Sequence, residues 1–208
     1  MANAIQCARE IRNDAIKDLV DRRLAGFKRL GRKSSRELFK ELCFCILTAN
    51  YSAEGGIRIQ KKINNGFLTL SEKQLAKALK EQRYRFPNVR AGYIVEARKH
   101  AVDIKKRLAG FDCEKDARDW LARNVKGLGY KEASHFLRNV GYESVAIIDF
   151  HIIDFLVGHG LIEKPKTMTP KRYVEIENVL QDVADKASMH LGELDLYMWY
   201  CETGRILK

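Results

Sequence analysis

Apolar residues recur along the chain at three- and four-residue intervals, the mark of helices that bury one face, while signals for strands are few. Ile5, Ile11, Ala15, Ile16, Leu19, Val20, Leu24 and Phe27 hold that spacing and predict a first helix over residues 3 to 30. Ser34 or Ser35 can cap the next, with Glu37 in its first turn and Leu38, Phe39, Leu42, Cys45 and Ile46 on its apolar face. The pattern then predicts helices over 53 to 62, 71 to 81, 88 to 107, 114 to 124, 131 to 140, 149 to 158, 170 to 187 and 192 to 202, joined by short turns containing Gly, Asn or Pro. The fold class expected is all-α. No repeat, low-complexity segment or flexible linker marks a boundary, so any two lobes must pack closely.

Composition narrows the partners. The chain has 208 residues, 46% of them apolar, enough for one ordinary domain or two small lobes with a real core. Its 38 Lys and Arg outnumber 27 acidic residues for a net charge of +11, which favours polyanions such as nucleic acid or an anionic membrane surface. The longest apolar runs, such as "LCFCILTA", fall far short of the roughly 20 residues of a membrane span. The start, "MANAIQCAREIRNDAIKDLV", is charged and helix-periodic, unlike a signal peptide, and the expected location is the cytoplasm. The five cysteines, at 7, 43, 45, 113 and 201, form no C-x-x-C pair, so buried free thiols are expected rather than a metal site or disulfides.

The candidate chemistry lies in "VKGLGYKEA", residues 125 to 133, between two helical patterns. Gly127 and Gly129 let the backbone turn tightly and approach another molecule. A helix starting near Lys131 would point unpaired N–H groups out of that turn, a ready phosphate site. This is the form of a helix-hairpin-helix, a sequence-independent grip on a DNA backbone, although any tight helix connection could give the same residues. Lys131 would meet the positive end of the helix dipole, which favours a neutral, nucleophilic amine; a solvated surface lysine is the alternative. In "VAIIDFHIIDFL" Asp149 follows four apolar residues and opens the next helix, as a structural N-cap would. An amine and a carboxylate brought to one cleft can together replace a glycosidic bond with a Schiff base, the carboxylate stabilising an oxocarbenium-like sugar. Asp154 reads as a surface or structural acid.

The blocks "FKELCFCILTAN", "AEGGIRIQKKI", "KGLGYKEASHFLRNVGY", "EIENVL", "ELDLYMWY" and the ending "TGRILK" together resemble the archaeal-type branch of the 8-oxoguanine DNA glycosylase/AP lyases, within the helix-hairpin-helix glycosylase superfamily. The resemblance covers nearly the whole chain. It implies a two-lobed helical fold, with residues 34 to 135 as one lobe and 1 to 33 plus 136 to 208 as the other, and an active-site cleft between them. It implies Lys131 as nucleophile, Asp149 as its acidic partner, a base flipped out of duplex DNA containing oxidised guanine, and strand cleavage by β-elimination. A glycosylase for another damaged base, or a non-catalytic DNA-binding module, is the alternative. No cofactor is expected, and the chain is expected to act as a monomer. Related endonucleases hold an iron–sulfur cluster with four cysteines near the C-terminus; only Cys201 stands there, so no cluster is expected.

A flipped base needs flat faces and fixed polar groups. Phe86 in "RYRFPNVRA" and Trp199 in "LDLYMWY" are candidates for stacking, though Trp199 also fits a helix core. The resemblance implies that the terminal Lys208 approaches the lesion and that Asn50 reaches towards the gap the base leaves; Asn50 equally fits a helix C-cap. Arg83, Arg85 and Arg90 flank Phe86 and could hold phosphates, whereas the "KKR" at 105 to 107 reads as a solvated face. His151 is expected beside the site at most, and His135 as structural. Phe150 departs from the family pattern, which has a polar residue, commonly Arg, after the aspartate.

Overall fold

The computed structural model describes residues 14 to 208, so the first part of the predicted opening helix, with Ile5, Cys7 and Ile11, lies outside the described residues. Among them are α-helices and one 3-10 turn, with no strand. The helices are α1 (Asp14–Gly31), α2 (Ser35–Thr48), α3 (Ala53–Ile63), α4 (Gly66–Thr69), α5 (Glu72–Glu81), α6 (Pro87–Ala97), α7 (Ile104–Leu108), α8 (Glu114–Asn124), α9 (Tyr130–Asn139), α10 (Phe150–Gly158), α11 (Pro170–Ala187) and α12 (Leu191–Thr203). Starts follow local capping chemistry. Ser52 and Thr169 accept from the N–H three residues on, Ser71 and Gln74 form a reciprocal capping box, and Pro87 and Pro170 occupy first turns where no N–H is needed. Ser34 takes the cap position of α2 but makes no side-chain bond there.

One prediction needs correction. The helix expected over 88 to 107 ends at Ala97, passes through a 3-10 turn at Arg98–His100, and resumes only as α7. Arg98 turns its side chain to the carbonyls of Phe67 (2.8 Å) and Leu70 (2.6 Å), which ties the break to the end of α4. The buried series Ala91, Ile94, Ala97, Ala101, Ile104 and Leu108 keeps a helical period straight through it, so the apolar pattern cannot register the interruption. The four-residue α4, which buries Phe67, was also not anticipated.

Two apolar cores form. One runs from Leu38 to Val145 and is centred on α2, whose residues from Leu38 to Thr48 are all buried except Lys40. The other joins Val20 and Phe27 of α1 to Ala146 and residues beyond, through α10, α11 and α12. Cys43 and Cys45 lie in the first core, where burial raises their thiols well above the ordinary range, whereas Cys113 and Cys201 are on the surface rather than buried. No helix is long and apolar enough to cross a membrane among the described residues.

The segment 143 to 149 crosses from the first core to the second, and its backbone is suspended from both sides. Glu114 of α8 accepts from the N–H groups of Glu143 (3.2 Å) and Ser144 (2.5 Å). Glu177 of α11 accepts from Ala146 N–H at 2.9 Å, and the Tyr173 hydroxyl donates to Ala146 O (2.7 Å) and accepts from Ile148 N–H (3.1 Å). Glu177 is wholly buried and paired with Arg118, itself 1% exposed, at 2.5 Å. Arg118 also lies over the rings of Tyr130 (4.8 Å) and Tyr173 (5.4 Å). Removing one member of such a pair leaves the other charge buried alone. Glu177→Ala is therefore expected to lose about 3–5 kcal/mol of unfolding free energy in denaturant titration, with much of it restored when Arg118→Met is added.

Candidate active site

The hairpin is built as its glycines require. Gly127 has φ +89°, and a Cβ there would meet the Tyr93 ring at 2.4 Å, so both conformation and space exclude a side chain. Gly129 is the N-cap of α9 in extended backbone, and its N–H is accepted by the Glu132 carboxylate at 3.2 Å. Lys131 thus sits in the second position of α9. Its side chain is 29% exposed, and the nearest acid is Glu132 Oε1 at 4.0 Å.

Asp149 is the N-cap of α10: Oδ1 accepts from His151 N–H (3.0 Å) and Ile152 N–H (3.1 Å). These bonds aim the carboxylate by the start of its own helix. Lys131 and Asp149 line one cleft of about 640 Å³ together with Asn50, Glu132, His135, Arg138, Asp195, Trp199 and Lys208. The cleft opens where the hairpin, α10 and α12 meet.

Several expected residues converge there. Trp199 lines the cleft with its indole N–H buried and unpartnered, and its ring stands perpendicular to that of His151 at 5.3 Å. Phe150, 66% exposed, also lies against His151, at 3.9 Å, so the three rings form an aromatic series on the cleft lining. Asn50, one residue past the C-cap Ala49 of α2, has φ +61°, so the left-handed turn that ends the helix and the position on the cleft belong to the same residue. Lys208 is anchored rather than free. Its ammonium donates to Glu41 Oε2 (2.7 Å) and Gln60 Oε1 (2.5 Å) and lies 4.2 Å from the Phe44 ring centre. Glu41, 2% exposed, also accepts from Asn139 Nδ2 (2.7 Å) and Gln60 Nε2 (2.9 Å).

Other expected residues lie outside the cleft. Phe86 is half-buried against the first core at the N-cap of α6, with the Arg85 guanidinium 5.0 Å from its ring. Arg83 and Arg85 are exposed. Arg90 is engaged within the protein, donating to Ala49 O at 3.2 Å and lying 5.4 Å from the Tyr93 ring beside Gly127. It links the end of α2 to the hairpin. Asp154 is a surface acid paired with Lys164 at 2.8 Å. Among the described residues no cluster of His, Cys, Asp and Glu could hold a metal ion.

Comparison with known proteins decides the family. A family model described as 8-oxoguanine DNA glycosylase matches residues 20–189. The chain belongs to the 8-oxoguanine DNA glycosylase family. Within it, an 8-oxoguanine DNA glycosylase/AP lyase of Methanocaldococcus jannaschii is 54% identical over 200 residues, 96% of each chain. The crystal structure of the Methanocaldococcus jannaschii glycosylase/lyase with a 15mer DNA containing 8-oxoguanine superposes with a TM-score of 0.95 at 53% identity, over 98% of this chain and 99% of that one. The 8-oxoguanine DNA glycosylase of Thermotoga maritima gives a TM-score of 0.93 at 44% identity, over 100% and 99% of the two chains. The all-α, two-lobed helix-hairpin-helix fold is that of the family.

Sequence reasoning missed the pair of Arg138 and Asp195 in the cleft wall, 3.0 Å apart and both nearly buried. Its one local trace is that each stands next to residues of a strongly apolar run. Burial pushes the Asp195 carboxyl up to about 6; the Arg138 charge opposes this and the Asp149 carboxylate adds to it. The folded protein thus holds this proton more tightly than the unfolded chain. Asp195 favours folding below pH about 4, and that contribution is lost as pH rises through about 6. Unfolding free energies measured from pH 4 to 7 are expected to lose this component, of order 3 kcal/mol, in Asp195→Asn relative to the native chain.

Proposed function

We propose that this chain excises 8-oxoguanine from duplex DNA and then cleaves the strand on the 3′ side of the resulting abasic site. The observation that carries the proposal is the presentation of Lys131 and Asp149 from two helix N-termini into one cleft, in a chain whose relatives are named for this activity. The hairpin amides and the net charge of +11 suit a sequence-independent hold on phosphates, and the active-site cleft would lie between the two lobes, 34 to 135 and 1 to 33 plus 136 to 208.

In this reading the damaged base leaves the stack and enters the cleft, against Trp199 and near the Lys208 terminus, while Asn50 faces the vacated position. As the C1′–N9 bond breaks and its electrons pass to the base, Asp149 stabilises positive charge on the sugar. The Lys131 amine, on giving up its proton, bonds to C1′, and ring opening gives a Schiff base. Loss of a C2′ proton then expels the 3′ phosphate by β-elimination, and water releases the lysine. This sequence requires neither a metal nor an organic cofactor, and one copy of the chain supplies both reactive groups.

With 8-oxoguanine duplex and borohydride, the native chain is expected to form a covalent adduct and Lys131→Gln none; an adduct of undiminished yield in Lys131→Gln refutes the mechanism. Asp149→Asn is expected to slow single-turnover excision roughly 10²–10⁴-fold. Arg83→Ala and Arg85→Ala are each expected to weaken duplex binding without regard to sequence and to lower the slope of log affinity against log salt by about one.

A further inference from the structure

His135 lies one turn after Lys131 on α9 and lines the same cleft. It is 7% exposed, and neither ring nitrogen makes a hydrogen bond of good geometry, the main chain of Lys208 being the one nearby acceptor that acts on the ring. The Phe44 ring meets its ring edge-on at 5.6 Å and holds its orientation. Burial above all, with the charges of Arg138, Lys131 and Lys208, drives its pKa well below the ordinary range, while a main-chain oxygen of Lys208 opposes this. The ring is accordingly neutral, with one N–H donor and one acceptor.

Buried polar groups in native proteins almost always have partners, and a residue serving only to fill space here would be better apolar. His135 lines the cavity that Lys131, Asp149 and Trp199 share, with its two ring nitrogens buried in the cleft wall. We propose that His135 is a base-contacting residue, its ring N–H donating to a carbonyl oxygen of the flipped purine so that the base is held while its glycosidic bond breaks. This rests on the reading of the cleft given above. A neutral donor suits the task, because it completes its hydrogen bonding only when a base occupies the cleft.

The two activities of the cleft separate the possibilities, since a preformed abasic site has no base to contact. In His135→Phe, which keeps the packing but not the polar atoms, single-turnover excision of 8-oxoguanine is expected to fall at least about 10-fold, while strand cleavage at an abasic site stays within about two-fold of native. His135→Gln, which restores an N–H donor, is expected to regain part of the loss. Excision at the native rate in His135→Phe, or a parallel loss of both activities in His135→Phe and His135→Gln, would overturn the proposal and leave the histidine a packing residue. Failure of the wider reading is distinguishable, because the native chain would then release no 8-oxoguanine.

Discussion

The buried pair of Arg118 and Glu177 is the constraint on which the arrangement of the cleft depends. It joins α8 of the first core to α11 of the second, and the same Glu177 oxygen accepts from Ala146 N–H. A charge pair stripped of water is costly to separate, so the 2.5 Å contact leaves the geometry around it little freedom. The segment 143 to 149 inherits that rigidity through Glu114, Glu177 and Tyr173, and it ends in Asp149. Lys131 is fixed from the other direction, by Gly127 packed on Tyr93 and by α9 packed in the first core. Neither of the two groups positions the other: no ion pair joins them, and each is aimed by its own helix start.

The cleft wall shows a second use of buried charge. Arg138 is matched by Asp195, and the Lys208 ammonium by Glu41 with Gln60. These pairings hold the cationic groups in the wall and draw the end of the chain into the cleft, while the ring nitrogens of His135 and the indole N–H of Trp199, two residues that line the space, are buried without such a pairing. The composition of the cleft is thus divided between groups satisfied by the protein and groups that are not. Phe150 extends the aromatic surface outward through its contact with His151.

Most helices could be read from the sequence because their apolar faces and caps are local signals. Residues 170 to 187 form α11 as expected, opened by Thr169 and Pro170, and Asp149 takes the cap position that its place before a helical run suggested. The break at Arg98 could not be read, because it is imposed by carbonyls of α4 some thirty residues away while the apolar period continues unbroken. The same limit applies to the site. Hairpin glycines and a capping aspartate announce themselves locally, whereas Arg118 and Glu177 look like ordinary exposed positions of polar helices until distant elements cover them. Arg90 illustrates the reverse: a basic residue that composition directs outward is held inward by the Ala49 carbonyl and Tyr93.

The central claim is that the cleft's nucleophile is Lys131 and no other amine of this basic chain. The most direct measurement is to reduce the complex with 8-oxoguanine duplex using borohydride, digest the protein, and locate the sugar remnant by mass spectrometry. The account predicts the remnant on the peptide carrying Lys131, within "GLGYKEA". A remnant bound to any other lysine, or to the N-terminal amine, would contradict it.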